Sequence, residues 1–164
     1  CDAENEVMKF KNTISFRLAP KTVASYRMRS DLLVNNFCKR AIDKNFLDIY
    51  EPQFRRNFIH IRDVTRAIIF SINNFNKLKS NVFNLGLSSA NITKIELAKK
   101  IKKQIKTLKI KVVKNKKDPD KRDYFISNLK IEKKGFKAQI SLNEGIKELI
   151  SVFKNNSKKI INNY

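Results

Sequence analysis

This chain of 164 residues carries 36 Lys plus Arg against 15 Asp plus Glu, a formal net charge of +21. Its 41% hydrophobic content supports a buried core of single-domain size and argues against disorder. No apolar run approaches the ~20 residues of a bilayer span. The acidic start, Asp2-Ala3-Glu4-Asn5-Glu6, lacks the basic and apolar regions of a secretory signal. Two cysteines, Cys1 and Cys38, make neither a disulfide framework nor a metal site, so the expected setting is the cytoplasm, with no membrane partner and no metal. Gly86, Gly135 and Gly145 are too dispersed to form a Gly-rich phosphate loop.

In chain order, helices and strands alternate. Residues 2–10 read as the tail of a helix, and Thr13–Leu18 as a strand ending near Pro20. A helix is expected from Ser30 to about Lys44, capped by Ser30 or Asp31, with Leu33, Phe37 and Ala41 on one face. A short strand follows at Leu47–Tyr50, then a polar loop, and Asn57–Ile61 alternates like another strand. Asp63 is expected to start a helix whose Val64, Ala67, Ile68 and Ile72 point inward. Asn81–Leu85 reads as a buried strand stopped by Gly86. Thr93-Lys94-Ile95-Glu96 has capping-box spacing, and so has Ser141-Leu142-Asn143-Glu144 ahead of the stripe Ile146, Leu149, Ile150 and Phe153. Between them lie the apolar stripe Leu97, Ile101, Ile105 and Leu108, a strand at Lys109–Val113, and a short helix at Ser127–Lys134 closed by Gly135. This alternation says α/β and by itself names no function.

The charge is distributed unevenly. Lysine outnumbers arginine 27 to 9, and eight arginines lie before residue 92. Arginine is the residue of bidentate anion contacts, whereas lysine is commonly a solvated surface. The run Lys99–Lys106 has no interleaved aromatic residue, which reads as a solvated helix face before a nucleic-acid platform. Four stretches carry chemistry. Arg55–Val64 brings an arginine into a short strand, where it forks onto a phosphate or carboxylate or else sits as a surface residue near a turn. Asp118–Tyr124 presents Arg122 or forms a local salt-bridged loop. Phe83-Asn84-Leu85-Gly86 allows a close turn at a strand end, and Tyr26–Arg29 is basic ahead of a helix.

In this order and spacing these segments resemble the extended short-chain dehydrogenase/reductases, the NAD-dependent epimerase/dehydratase group acting on nucleotide sugars. The resemblance runs from residue 1 to about Phe153. It rests on Phe16–Ala19, Arg27–Phe37, Arg56–Val64, Phe83–Gly86, Lys121–Ser127, and Gly135-Phe136 before Ser141–Ile146. It implies an α/β fold: the C-terminal part of a Rossmann-type enzyme, with the last strands of the parallel sheet and a small substrate-binding lobe. Residues 1–20 would be a remnant of the NAD-binding domain, 21–154 mainly the nucleotide-sugar lobe with strand 81–86 returning to the Rossmann sheet, and 155–164 a tail.

The family's Gly-rich NAD loop and its Tyr-x-x-x-Lys pair belong to the N-terminal half. None of Tyr26, Tyr50, Tyr124 and Tyr164 has a lysine four residues later, and the chain opens on Cys1. The resemblance therefore implies a fragment with no catalytic residue of its own, inactive alone and homodimeric when full-length. Carried over by position, Arg56 meets the substrate diphosphate, Arg122 makes the second phosphate or ribose contact, and Tyr50 packs the base, with a core tyrosine as the competing reading. Pro20 stands beside the nicotinamide of NAD or NADP, in Pro20-Lys21-Thr22-Val23, where relatives carry a Tyr-Gly turn. His60 is implied to be structural. The partner is then a nucleoside diphosphate sugar. The alternatives are a basic nucleic-acid module using Lys99–Lys117 and a non-catalytic remnant of the same fold. Loss of neighbouring strands is expected to leave Ile14, Phe16, Val82 and Phe83 partly uncovered.

Overall fold

The computed structural model describes residues 2–22, 24–25, 27–113, 122–155 and 161–162. The first half comprises α1 (Asp2–Met8), β1 (Ile14–Leu18), β2 (Lys21–Thr22), β3 (Arg27–Met28), α2 (Leu33–Lys44), β4 (Phe46–Tyr50), β5 (Arg55–Arg56) and β6 (Ile59–His60). It continues through α3 (Ile61–Asn73), α4 (Phe75–Leu78), β7 (Asn81–Leu85), a 3-10 turn at Ser88–Ala90 and β8 (Ile92–Thr93). The remainder is α5 (Lys94–Gln104), β9 (Lys109–Val113), α6 (Leu129–Glu132), α7 (Leu142–Asn155) and β10 (Ile161–Asn162).

The strands form short pairs. β1 lies parallel to β7 with Phe16 opposite Phe83, and β4 lies parallel to β9 with Leu47 opposite Ile110. β2–β6 and β3–β10 are also parallel, whereas β5 and β8 run antiparallel. Parallel neighbours need helical crossovers, and those helices supply most of the core. Val34, Phe37, Cys38 and Ala41 of α2 are buried with Ile146, Leu149, Ile150 and Phe153 of α7 and Leu97 and Ile101 of α5. Each such large side chain contributes about 1.5–3 kcal/mol by leaving water. Both expected capping boxes form. Thr93 and Glu96 exchange hydrogen bonds of 2.7 and 3.3 Å, and Ser141 and Glu144 exchange bonds of 2.8 and 3.2 Å. Among the described residues no helix is long and apolar enough to cross a membrane.

Several elements differ from expectation for visible reasons. The helix expected at Ser30 starts at Leu33, because the Asp31 carboxylate is taken by the Arg29 guanidinium instead of capping amides. The strand expected over 57–61 shortens to β6, a separate strand β5 precedes it at Arg55–Arg56, and α3 begins at Ile61, capped by His60. Asp63 is the third residue of α3 and completely buried, accepting the amides of Gln139 and Ile140 at 3.1 and 2.8 Å. That anchor sets the helix phase. Asp63, Val64, Ala67 and Ser71 face inward, while Ile68 and Ile72, expected inside, are 48% and 68% exposed. α6 is shorter than its expected span, and Gly135 beyond it has φ 102°, a conformation that favours glycine. Ile14, Phe16 and Val82 are half-buried as expected, but Phe83 is fully covered, since Lys130 of α6 lies 5.1 Å from its ring centroid and donates to the Val82 carbonyl. In the expected tail, Ile161–Asn162 pairs with β3. Cys1, Val23, Tyr26, Asp118–Lys121, Tyr164 and the 114–117 end of the expected basic surface lie outside the described residues.

Candidate functional site

Strand alternation divides the two neighbouring arginines of β5. Arg55 points outward and Arg56 inward, where only 3% of it remains exposed. The pairing of Arg56 with Ile92 of β8 fixes its depth. Its Nη1 donates to the Arg55 carbonyl at 2.8 Å, and its guanidinium lies 5.3 Å from the Tyr124 ring centroid. Such a stacked, planar cation is oriented before any ligand arrives.

Arg55 positions the opposite wall. Its Nε and Nη2 donate to the two Asp123 carboxylate oxygens at 3.2 and 3.3 Å, and its amide donates to Oδ1 at 2.8 Å. The Arg55 side chain, and next its amide, hold the Asp123 carboxyl below the usual carboxylate range. Both groups are solvent-exposed, so this fork fixes geometry more than it adds stability. The following residues are clamped as well. Asn91 donates to the Ile126 carbonyl and accepts its amide, both at 2.9 Å, and Asn84 donates to the Ser127 carbonyl at 3.2 Å. Residues 122–127 are thus laid across β5, and Arg122 and Tyr124, two apart in an extended segment, share the inward face.

Between these walls lies a cleft of about 430 Å³, a usual size for a small-molecule site. Pro20, Tyr50, Arg56 and Arg122, the four site residues expected from the sequence, all line it. Pro20 lies between β1 and β2, with its carbonyl accepting the Ile59 amide at 3.1 Å; Tyr50 ends β4. Among the described residues, five cations, Arg29, Arg40, Lys94, Arg56 and Arg122, share the lining with two carboxylates, Asp31 and Asp48, a positive surplus within that set. Arg29 holds Asp31, and Arg40 approaches Asp48 at 3.5 Å. Phe37, Phe58 and Leu33 add apolar side chains to the same lining as Tyr50.

Sequence reasoning missed Lys94, Tyr124, Arg29, Arg40 and Asp48 as lining residues. The i, i+2 spacing of Arg122 and Tyr124 was a usable signal for Tyr124. Nothing in the sequence separates Lys94 from the lysines that follow it. Its burial comes from β8 meeting β5, which places its amide on the Phe54 carbonyl at 3.1 Å. His60 stands outside the cleft. Its Nδ1 accepts the Arg62 amide at 3.2 Å, leaving Nε2–H to donate to Glu148 at 3.0 Å. This is a helix cap, in keeping with a structural role. Among the described residues no group of three or more His, Cys, Asp or Glu is arranged to hold a metal.

No protein-family model matches the chain. Solved structures do match it. A dTDP-glucose 4,6-dehydratase of Bacillus anthracis in complex with NAD is 19% identical, with a TM-score of 0.74 over 95% of this chain and 50% of that one. A UDP-glucose 4-epimerase of Thermotoga maritima with UDP-glucose is 22% identical, with a TM-score of 0.74 over 88% and 47%. The RMD protein of Pseudomonas aeruginosa, complexed with NADPH, is 15% identical, with a TM-score of 0.72 over 91% and 52%. The chain spans about half the length of these structures. Its fold is that of the C-terminal part of Rossmann-type nucleotide-sugar dehydratases and epimerases, as the sequence resemblance implied.

Proposed function

We propose that this chain forms the nucleotide-sugar side of an NAD(P)-dependent epimerase or dehydratase site. The observation that carries the reading is convergence: Pro20, Tyr50, Arg56 and Arg122 come from four separated segments and line one positively charged cleft. Arg56 and Arg122 bind the diphosphate, Tyr50 and the apolar side chains of the lining pack the base, and Pro20 borders the nicotinamide. Two arginines facing a diphosphate contribute about 1.5–3 kcal/mol for each charged hydrogen bond.

The residues present do not fit a whole dinucleotide. Each glycine is used in packing or chain geometry. A Cβ on Gly86 would stand 1.9 Å from Asn57 Oδ1, one on Gly145 would stand 2.9 Å from Thr22 Oγ1, and Gly135 supplies a positive φ. None belongs to a phosphate loop. On this reading residues 1–20 and strand 81–86 belong to the cofactor-binding sheet and 21–154 mainly to the substrate lobe. The Gly-rich loop and the Tyr-x-x-x-Lys pair then lie in the half that this chain does not span, and the segment alone is inactive. The complete protein is read as a cytoplasmic homodimer, an assignment supported by the family resemblance.

Calorimetric titration of the complete gene product with UDP-, dTDP-, GDP- and CDP-sugars tests the site. At least one binds, and Arg56→Ala weakens it about 10- to 100-fold without loss of the folded state. Failure of all four to bind refutes the reading.

A further inference from the structure

Lys94 is the one lysine buried among the described residues, at 2% exposure, and it lines the same cleft as Tyr50. Burial of a lysine side chain is rare and signals a specific environment. Its Nζ donates to the Tyr50 main-chain carbonyl at 3.2 Å and lies 5.3 Å from the Phe54 ring centroid. The backbone beneath is rigid. The capping box of α5 fixes Thr93, and the Lys94 and Ile95 amides donate to the Phe54 and Pro52 carbonyls, each at 3.1 Å. The ammonium is therefore placed by the fold.

This placement reverses the hydrogen-bonding character of the cleft beside Tyr50. A main-chain carbonyl accepts, so it rewards a ligand N–H; an ammonium only donates, so it rewards a ligand acceptor. With Lys94 seated on the Tyr50 carbonyl, a ligand at this end meets a cation. We propose that Lys94 is a specificity-determining residue that makes this cleft select a base with two adjacent acceptors. Guanine offers O6 and N7, and cytosine offers N3 and O2. Uracil and thymine instead set N3–H between their two carbonyls, presenting a donor in the middle of that edge. The preference is for guanine or cytosine nucleotides over uracil and thymine nucleotides, and it rests on reading the cleft as a nucleotide site with its base beside Tyr50.

GDP, CDP, UDP and dTDP titrated into the complete gene product, and into its Lys94→Met, Lys94→Arg and Arg56→Ala variants, test this. Wild type binds GDP or CDP about tenfold or more tightly than UDP and dTDP. Lys94→Met brings the four within about threefold of one another, Lys94→Arg keeps the ranking, and Arg56→Ala weakens all four alike. A wild-type preference for UDP or dTDP, or an unchanged ranking in Lys94→Met, overturns the role of Lys94 while leaving the nucleotide site standing. Absence of binding by all four overturns both. Should Lys94→Met not fold, the wild-type ranking together with Lys94→Arg decides.

Discussion

Replacing Gly86 by alanine probes the joint on which Arg56 rests. The added Cβ would fall 1.9 Å from Asn57 Oδ1 and 2.9 Å from its Cγ, whereas ordinary contact begins at 3.4 Å. Asn57 must therefore move by about 1.5 Å. It has little freedom to do so: it is fully buried, and its Nδ2 donates to the Leu87 carbonyl at 2.9 Å. Overpacking costs about 1–3 kcal/mol, and a broken buried hydrogen bond costs about as much again. A total near 4 kcal/mol lowers the melting midpoint by roughly 8–16 °C in a chain of this size. Denaturation followed by circular dichroism measures it. Asn57→Ala loses the bond but opens the space, so the double variant is expected to be no less stable than Asn57→Ala alone, a coupling above about 1.5 kcal/mol. Because Asn57 directly follows Arg56, Gly86→Ala also weakens nucleotide binding. Stability within about 0.5 kcal/mol of wild type, or strict additivity in the cycle, refutes the steric argument.

Asp63→Asn places an amide, at this buried position, against the Gln139 and Ile140 amides and the Arg66 guanidinium, which all donate to the carboxylate. Equilibrium urea unfolding is expected to show a loss of about 3–5 kcal/mol. Glu96 and Glu144 are held below their ordinary value of 4.5, Glu96 chiefly by the Thr93 amide and Glu144 chiefly by the Ser141 hydroxyl. Depressed carboxylates stabilise the fold above their unfolded value and lose that contribution as pH falls through the folded one. The melting midpoint therefore drops on acidification below about pH 4.5, less steeply in Glu96→Gln and Glu144→Gln. Burial pushes the Cys38 thiol up to about 12, so at pH 8 native protein leaves Cys38 unalkylated in peptide mapping, and unfolding exposes it.

Local chemistry was the legible part of the fold. The capping boxes at Thr93 and Ser141 form because their partners are three residues away and need nothing else. The strands at β1, β4, β7 and β9 followed from short apolar runs between turn residues. Errors came where a distant partner outbid local pattern. Of the inward stripe expected for α3, Val64 and Ala67 are buried, but Asp63, bound to an amide 76 residues away, turns Ile68 and Ile72 outward. Ser30 and Asp31 were plausible caps until Arg29 claimed the carboxylate. Four of the cleft's lining residues, Pro20, Tyr50, Arg56 and Arg122, were expected only through the family resemblance that the order of the motifs carries. Lys94 was invisible because its burial depends on the β5–β8 pairing, a non-local fact.

The same distinction resolves the surplus charge into two populations with different work to do. Lys99, Lys102, Lys103 and Lys106 are exposed, and at physiological ionic strength their fields fade within about 8 Å. Arg56 and Lys94 are buried, where a lower local dielectric strengthens each contact with a bound anion. On the proposed reading of the cleft as a nucleotide site, surface lysines steer the anionic ligand toward the chain and govern association, while the cleft cations govern residence. Added salt is then expected to slow nucleotide association and to leave dissociation nearly unchanged, whereas Arg56→Ala does the reverse, as stopped-flow kinetics can read separately. A salt effect confined to dissociation would mean that the exposed lysines themselves hold the ligand, and the cleft would lose its claim to be the binding site.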